Sequence, residues 1–193
     1  RWRGGIQARQ VGTGAGFTGA LSPLSHPESL RLLTDLSYQN AKFADHWEVS
    51  AQLSYFELQW KTAGIYILLP PGTLGGAFPE GQLARTFTGE RQTRLNLSAF
   101  YTGWTHHTWR VETGYSNADA SKVEIERNYD IYTNRPFPQM VDFSDTPATY
   151  LPEMTRKSWR MLDQDAWQLL PTWELNVGLR YFDYSDSGQT FNP

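Results

Sequence analysis

Three stretches of the chain alternate apolar and polar residues behind a tryptophan. After Trp47 one parity reads Val49, Ala51, Leu53 and Tyr55, and the other reads Glu48, Ser50, Gln52 and Ser54. After Trp109 the two parities are Val111, Thr113, Tyr115 and Arg110, Glu112, Gly114, Ser116. After Trp173 they are Leu175, Val177, Leu179, Tyr181 and Glu174, Asn176, Gly178, Arg180. The tryptophan parity carries no charge in any of the three. Successive side chains of a strand point to opposite faces, so each stretch predicts a strand with one dry and one wet face.

Extending this reading predicts seven strands, at about 2–11, 29–39, 47–60, 88–102, 107–118, 160–170 and 173–184. The connections alternate in length. Residues 12–28, 61–87 and 119–159 are long, whereas "NAKFADH", "TGWTH" and "LPT" are short. A soluble sandwich has no reason to gather its long loops at one end, but outer-membrane barrels pair short periplasmic turns with long extracellular loops. Dimensions point the same way. Trp47 to Tyr55 spans about 26 Å of strand, or roughly 20 Å along the bilayer normal at a ~40° tilt, close to the ~25 Å apolar band of such barrels. The strands entering the short turns end on Tyr38 and Tyr101. The expected aromatic girdles are therefore Tyr38, Trp47, Tyr55, Tyr101, Trp109, Tyr115, Trp173 and Tyr181. The fold class expected is all-β, with antiparallel up-and-down strands forming part of a transmembrane β-barrel, its apolar face on outer-membrane lipid and its polar face on a watery lumen.

One strand fits poorly. In "RMLDQDAWQLL" the parity of Trp167 and Leu169 also carries Asp163 and Asp165, and a bulge or a strand start nearer Ala166 is the expected remedy.

The length suffices for one domain with a core, but the composition argues against a chain rich in buried aliphatics. The 193 residues are 39% hydrophobic yet 15% aromatic, with eight Trp, and the mean hydropathy is -0.54. A formal charge of -3 with no basic cluster argues against nucleic acid as a partner. No cysteine is present, so disulfides and thiolate metal sites are excluded. The start, "RWRGGIQARQ", lacks an initiator Met and signal-peptide features, as expected of a fragment. "AGIYILLPPG" is far short of the ~20 residues a membrane-spanning helix needs.

The last 20 or so residues carry a family likeness. "TWELNVGLRYFDYSDSGQTFNP" resembles the barrel signature of TonB-dependent outer-membrane receptors, in Gly178, Leu179, Arg180, Tyr181, then Asp183, Tyr184, Gly188, Asn192 and Pro193. "DQDAWQLLPTW" is similar to the strand and turn before it. The resemblance implies a partial receptor-like barrel domain over 1–193, from a 22-stranded barrel closed by a plug. Such barrels import ferric siderophores or similar scarce ligands with energy from the inner-membrane TonB complex. No plug, TonB box or terminal strand is expected within these residues, so the TonB partnership would run through the plug. No enzyme activity and no cofactor are implied.

Candidate ligand contacts fall in the long loops: Tyr66 in 61–87, and Arg127, Tyr129, Tyr132 and Arg135 in 119–159. Arginine and tyrosine suit an anionic or aromatic ligand such as a ferric chelate, through charge-assisted bonds and ring stacking. Solvent-facing or loop-packing roles are the alternative for these five. Other chemistry is weaker. His106 and His107 are too few for a metal site, Asp163 and Asp165 suit a solvated strand end better than acid-base work, and "VGTGAG" at 11–16 lacks the lysine and following helix of a phosphate loop. Two rivals remain. A passive porin would share the barrel and be told apart by the absence of a plug before residue 1. A soluble β-sandwich binding module would instead close Trp47, Trp109 and Trp173 into a core.

Overall fold

A computed structural model describes residues 1–11, 25–149 and 152–192. The loop expected at 12–28, apart from 25–28, the glycine-rich run beyond Val11, and Pro193 lie outside the described residues. The strands are β1 (Trp2–Gln10), β2 (His26–Ala44), β3 (Trp47–Ala63), β4 (Tyr66–Leu69), β5 (Gln82–Tyr101), β6 (His107–Tyr129), β7 (Pro136–Asp142), β8 (Met154–Leu170), β9 (Trp173–Tyr184) and β10 (Gly188–Asn192). They form one antiparallel sheet in the order β1-β2-β3-β5-β6-β8-β9-β10, with β4 on β5 and β7 on β6.

Two of the short connections are tighter than expected, and the third, 102–106, is as expected. Residues 45–46 alone turn β2 into β3, and 171–172 turn β8 into β9. His46 and His106 take the left-handed conformation, with φ of 65° and 66°, just before β3 and β6 begin. Lys42 to Ala44, expected in the turn, stay in β2 across an irregularity between Asn40 and Ala44. The long connections are corrected more heavily. β3 and β6 run on to Ala63 and Tyr129, β5 and β8 start at Gln82 and Met154, and β4 and β7 lie wholly within stretches expected to be loop.

Register decides the faces. Trp47, Tyr101, Trp109, Asp165 and Val177 stand in one cross-strand row, and Leu36, Leu53, Leu95, Tyr115 and Trp159 in another. Both rows lie on the face of the apolar parity. The opposite face carries Gln52, Asn96, Gly114, Arg160 and Phe182 in a single row. No second sheet covers either face among the described residues. Leu53, Leu97, Trp173, Val177 and Leu179 are exposed, and the Trp47, Tyr101, Trp104 and Trp109 rings form a surface chain with centroids 4.9–6.1 Å apart. A sandwich would have buried them. Buried apolar side chains among the described residues are instead Phe78, Ala84, Val123 and Ile125, all at the long-loop end.

The remedy expected for Asp163 and Asp165 is absent. β8 is regular through both, its irregularity lies between Gln168 and Leu170, and the two carboxylates do share the apolar face. They sit in mid-strand, not at a solvated strand end. Asp163 accepts a hydrogen bond from Trp109 Nε1 at 2.5 Å, and Asp165 Oδ2 lies 2.6 Å from His107 Nδ1. His107 opens β6, as expected of a strand from 107, and meets Asp165 through the register.

Candidate ligand site at the long-loop end

A bulge in β6 builds this region. Asp119 pairs with Arg91, but Lys122 pairs with Gly89, so β6 spends one residue more than β5 between the two pairs. One extra residue reverses the parity. Beyond it Val123, Ile125 and Arg127, odd-numbered like the apolar Val111 and Tyr115, turn to the polar side of the sheet and face Thr88, Thr86 and Ala84. Farther out β4 and β7 replace β3 and β8 as neighbours. Tyr66, Ala84, Arg127 and Val141 then form one row across a four-stranded crown.

Short polar contacts fix the crown. Asn128 accepts from the Leu83 backbone N–H at 2.7 Å and donates to the Gly81 carbonyl at 3.0 Å, tying β6 to the chain that enters β5. Gly81 itself has φ of 92°, a conformation that suits glycine. Ser144 Oγ accepts from the Ile125 N–H at 3.0 Å, and Gln82 donates to Asn134 Oδ1 at 2.8 Å. A groove of about 440 Å³ opens between residues 77–81 and Asn128 with 136–138, lined by Phe78, Pro79, Phe137 and Pro138 among others.

The five expected ligand contacts divide into two groups. Tyr66 and Tyr129 are half-buried, and Arg127 is 1% exposed. Arg127 donates to the Ala148 carbonyl at 2.8 Å and stacks over Phe143 at 4.3 Å and Tyr129 at 5.7 Å, while its Nε has no partner among the described residues. It packs the crown from within. Burial pushes the Tyr129 hydroxyl above its ordinary pKa. Tyr132 and Arg135, by contrast, lie in the turn that links β6 to β7. Tyr132 is 78% exposed and Arg135 is exposed. Asp130 shapes that turn by accepting from the Thr133 and Tyr132 N–H groups at 2.7 and 2.9 Å, and the Thr133 bonds hold its carboxyl below the usual range. The groove walls and Asn128 escaped sequence reading. The alternation Val123, Ile125 was visible, but on the wrong parity for a continuous strand. Among the described residues no three His, Cys, Asp or Glu side chains converge as a metal site would require.

Both ends of the sheet now have a defined character, and the chain can be compared with known families. It matches the family described as TonB dependent receptor-like, beta-barrel, over residues 2–193. The chain belongs to that family. No curated protein matches it. The family places it in the bacterial outer membrane, as barrel wall of a receptor that moves ligand with the help of TonB, and it is a transporter family, not an enzyme family. In TonB-dependent receptors, as in other outer-membrane barrels, an open sheet such as this one needs further strands to close.

Proposed function

We propose that this stretch of receptor wall serves the uptake of a ferric siderophore or a similarly scarce chelate, met first at the crown. The supporting observation is the division within the crown: Arg127 and Tyr129 brace it from inside, leaving Tyr132 and Arg135 presented on its outermost turn. An aromatic ring and a guanidinium exposed on one turn suit a planar anionic chelate. The apolar face meets lipid, with Tyr38, Trp47, Tyr101, Trp109 and Trp173 toward the short-turn interface and Tyr55, Tyr115 and Tyr181 toward the outer one. TonB acts through a plug domain of the same receptor.

The test is growth of the source bacterium on a ferric siderophore as sole iron source. Deleting the receptor should abolish it, and Tyr132→Ala with Arg135→Ala should weaken siderophore binding about tenfold without lowering receptor abundance. Receptor production that ignores iron starvation but responds to another nutrient would transfer the reading to that nutrient.

A further inference from the structure

The polar face holds a second site, deeper than the crown, where β5 and β6 are flanked by β8 and β9. Arg94 on β5 and Arg160 on β8 line one recess of about 300 Å³, together with Asn96, Gly114, Ser116, Ser158, Phe182 and Tyr184. Neither guanidinium has a carboxylate within ion-pair distance among the described residues, whereas Arg156 is paired with Asp186 and Arg110 with Glu112. On this face Glu112 is paired with Arg110, and Asp35, in the row of Ser54 and Arg94, accepts from the Ser54 hydroxyl at 2.6 Å. Arg160 is held, not loose, since it donates to Asn96 Oδ1 at 2.9 Å. Gly114 makes its place. A Cβ there would come within 2.6 Å of Arg160 Nε and 3.0 Å of Asn96 Oδ1. The floor is polar, with the Ser116 and Ser158 hydroxyls bonded at 3.0 Å, and the far wall is the stacked pair Phe182 and Tyr184, with rings 5° from parallel.

Height along the barrel is set by the register. The outer girdle climbs diagonally, because Tyr115 aligns with Leu53 and Tyr181 with Ala51, two and four residues below Tyr55. Tilted strands produce this diagonal. The arginines follow it: Arg94 lies opposite Ser54, Arg160 aligns with Gln52, and Arg180 aligns with Ser50. All three therefore stand at one level, on the lumen side of the outer girdle. Three cations stand at one height, two of them lining one recess with no carboxylate among its lining residues.

We propose that Arg94 and Arg160 form an oxyanion subsite on the lumen wall, taking a carboxylate or phosphate group of the imported ligand after it leaves the crown. Each guanidinium offers charge-assisted, directional bonds to such a group, and the flat Phe182 and Tyr184 rings receive the body that carries it. The proposal rests on the uptake reading above. It requires a chelate that carries a carboxylate or phosphate group.

The test uses the detergent-solubilised full-length receptor and titration with succinate and with inorganic phosphate as probes. Saturable binding of at least one is expected, weakened about tenfold or more by Arg94→Gln or Arg160→Gln. Gly114→Ala should weaken it too, with unchanged thermal unfolding, because the displaced atoms belong to a flexible side chain. Arg156→Gln, which removes a guanidinium already paired with Asp186, should leave binding unchanged. Absence of saturable binding of both probes, or equal binding by all variants, would overturn the subsite. So would arginine variants that lower unfolding temperature while wild-type receptor binds no probe, since the anion would then be an acidic side chain of the receptor itself. Failure of the uptake reading shows separately, as normal iron-restricted growth of the deletion strain.

Discussion

β8 and β9 lie side by side and present opposite chemistries to the same side of the sheet. β9 offers Trp173, Leu175, Val177, Leu179 and Tyr181 without interruption, whereas β8 offers Trp159, Met161, Asp163, Asp165 and Trp167. Asp165 is paired with Val177, and Asp163 with Leu179. Asp163 is midway between the two β8 tryptophans, so it stands near the centre of the belt. The difference lies in what β6, the other neighbour of β8, contributes. Toward β8 it sends His107 and Trp109, whose ring nitrogens meet the two carboxylates. An acid in an apolar belt is tolerated where a neighbouring strand supplies a donor, because the cost of a buried polar group is mostly that of leaving it unbonded. The satisfaction is incomplete, for Asp165 Oδ1 is buried without a partner among the described residues.

The sharpest way to break this comparison is to put a charge on the clean strand. Val177→Arg in the full-length receptor should cost about 2–4 kcal/mol and reduce assembly into the outer membrane, read from the heat-modifiable band of folded barrel. Full assembly of this variant would mean that β9 does not face lipid. Removing the donor from the acidic strand should cost less. Trp109→Phe strips Asp163 of its bond, and about 1–3 kcal/mol should be lost in reversible folding into lipid vesicles. Adding Asp163→Leu should restore most of that, since an apolar pair replaces a satisfied polar one nearly without cost. If the double variant is no better than Trp109→Phe, the bond is not what makes the acid tolerable. Smallest of all is Asn176→Arg, one residue from Val177 but on the lumen face. It should change folding by about 0.5 kcal/mol or less, and damage equal to that of Val177→Arg would exchange the two faces.

How much of this could be read from the chain depends on whether a signal is local. Strand parity is local, so the two faces of 47–55, 109–116 and 173–181 were legible, as was the ordering of short and long connections. Cross-strand register is not local. Nothing near His107 in sequence announces Asp165, 58 residues away, and nothing near Gly114 announces Arg160. The crown was hidden for a different reason. "YILL" before Pro70 is too short to alternate convincingly, and the bulge between Asp119 and Lys122 switches the apolar parity within β6. A reader following one phase sees the strand end there. For the ligand contacts, residue type was informative but burial was not: Arg127 and Arg135 look alike in sequence, and packing of residues 143–148 against the first is decided by the turn after β7.

That bulge also separates the constraints on the crown from those on the belt. Residues before it must keep one phase to match lipid, and residues after it keep another to fill the crown, with a single surplus residue as the joint. Lengthening or shortening the chain beyond Lys122 leaves the phase of Trp109 to Asp119 untouched. Insertions, deletions and exchanged loops can therefore accumulate on the outer side, under pressure from changing ligands or from phages and antibodies, while the membrane wall stays in frame. Losing the surplus residue alone would turn Val123, Ile125 and Arg127 outward at one stroke. The joint thus acts as a reading-frame boundary in three dimensions, with the phase set by lipid on one side and the phase set by the crown on the other.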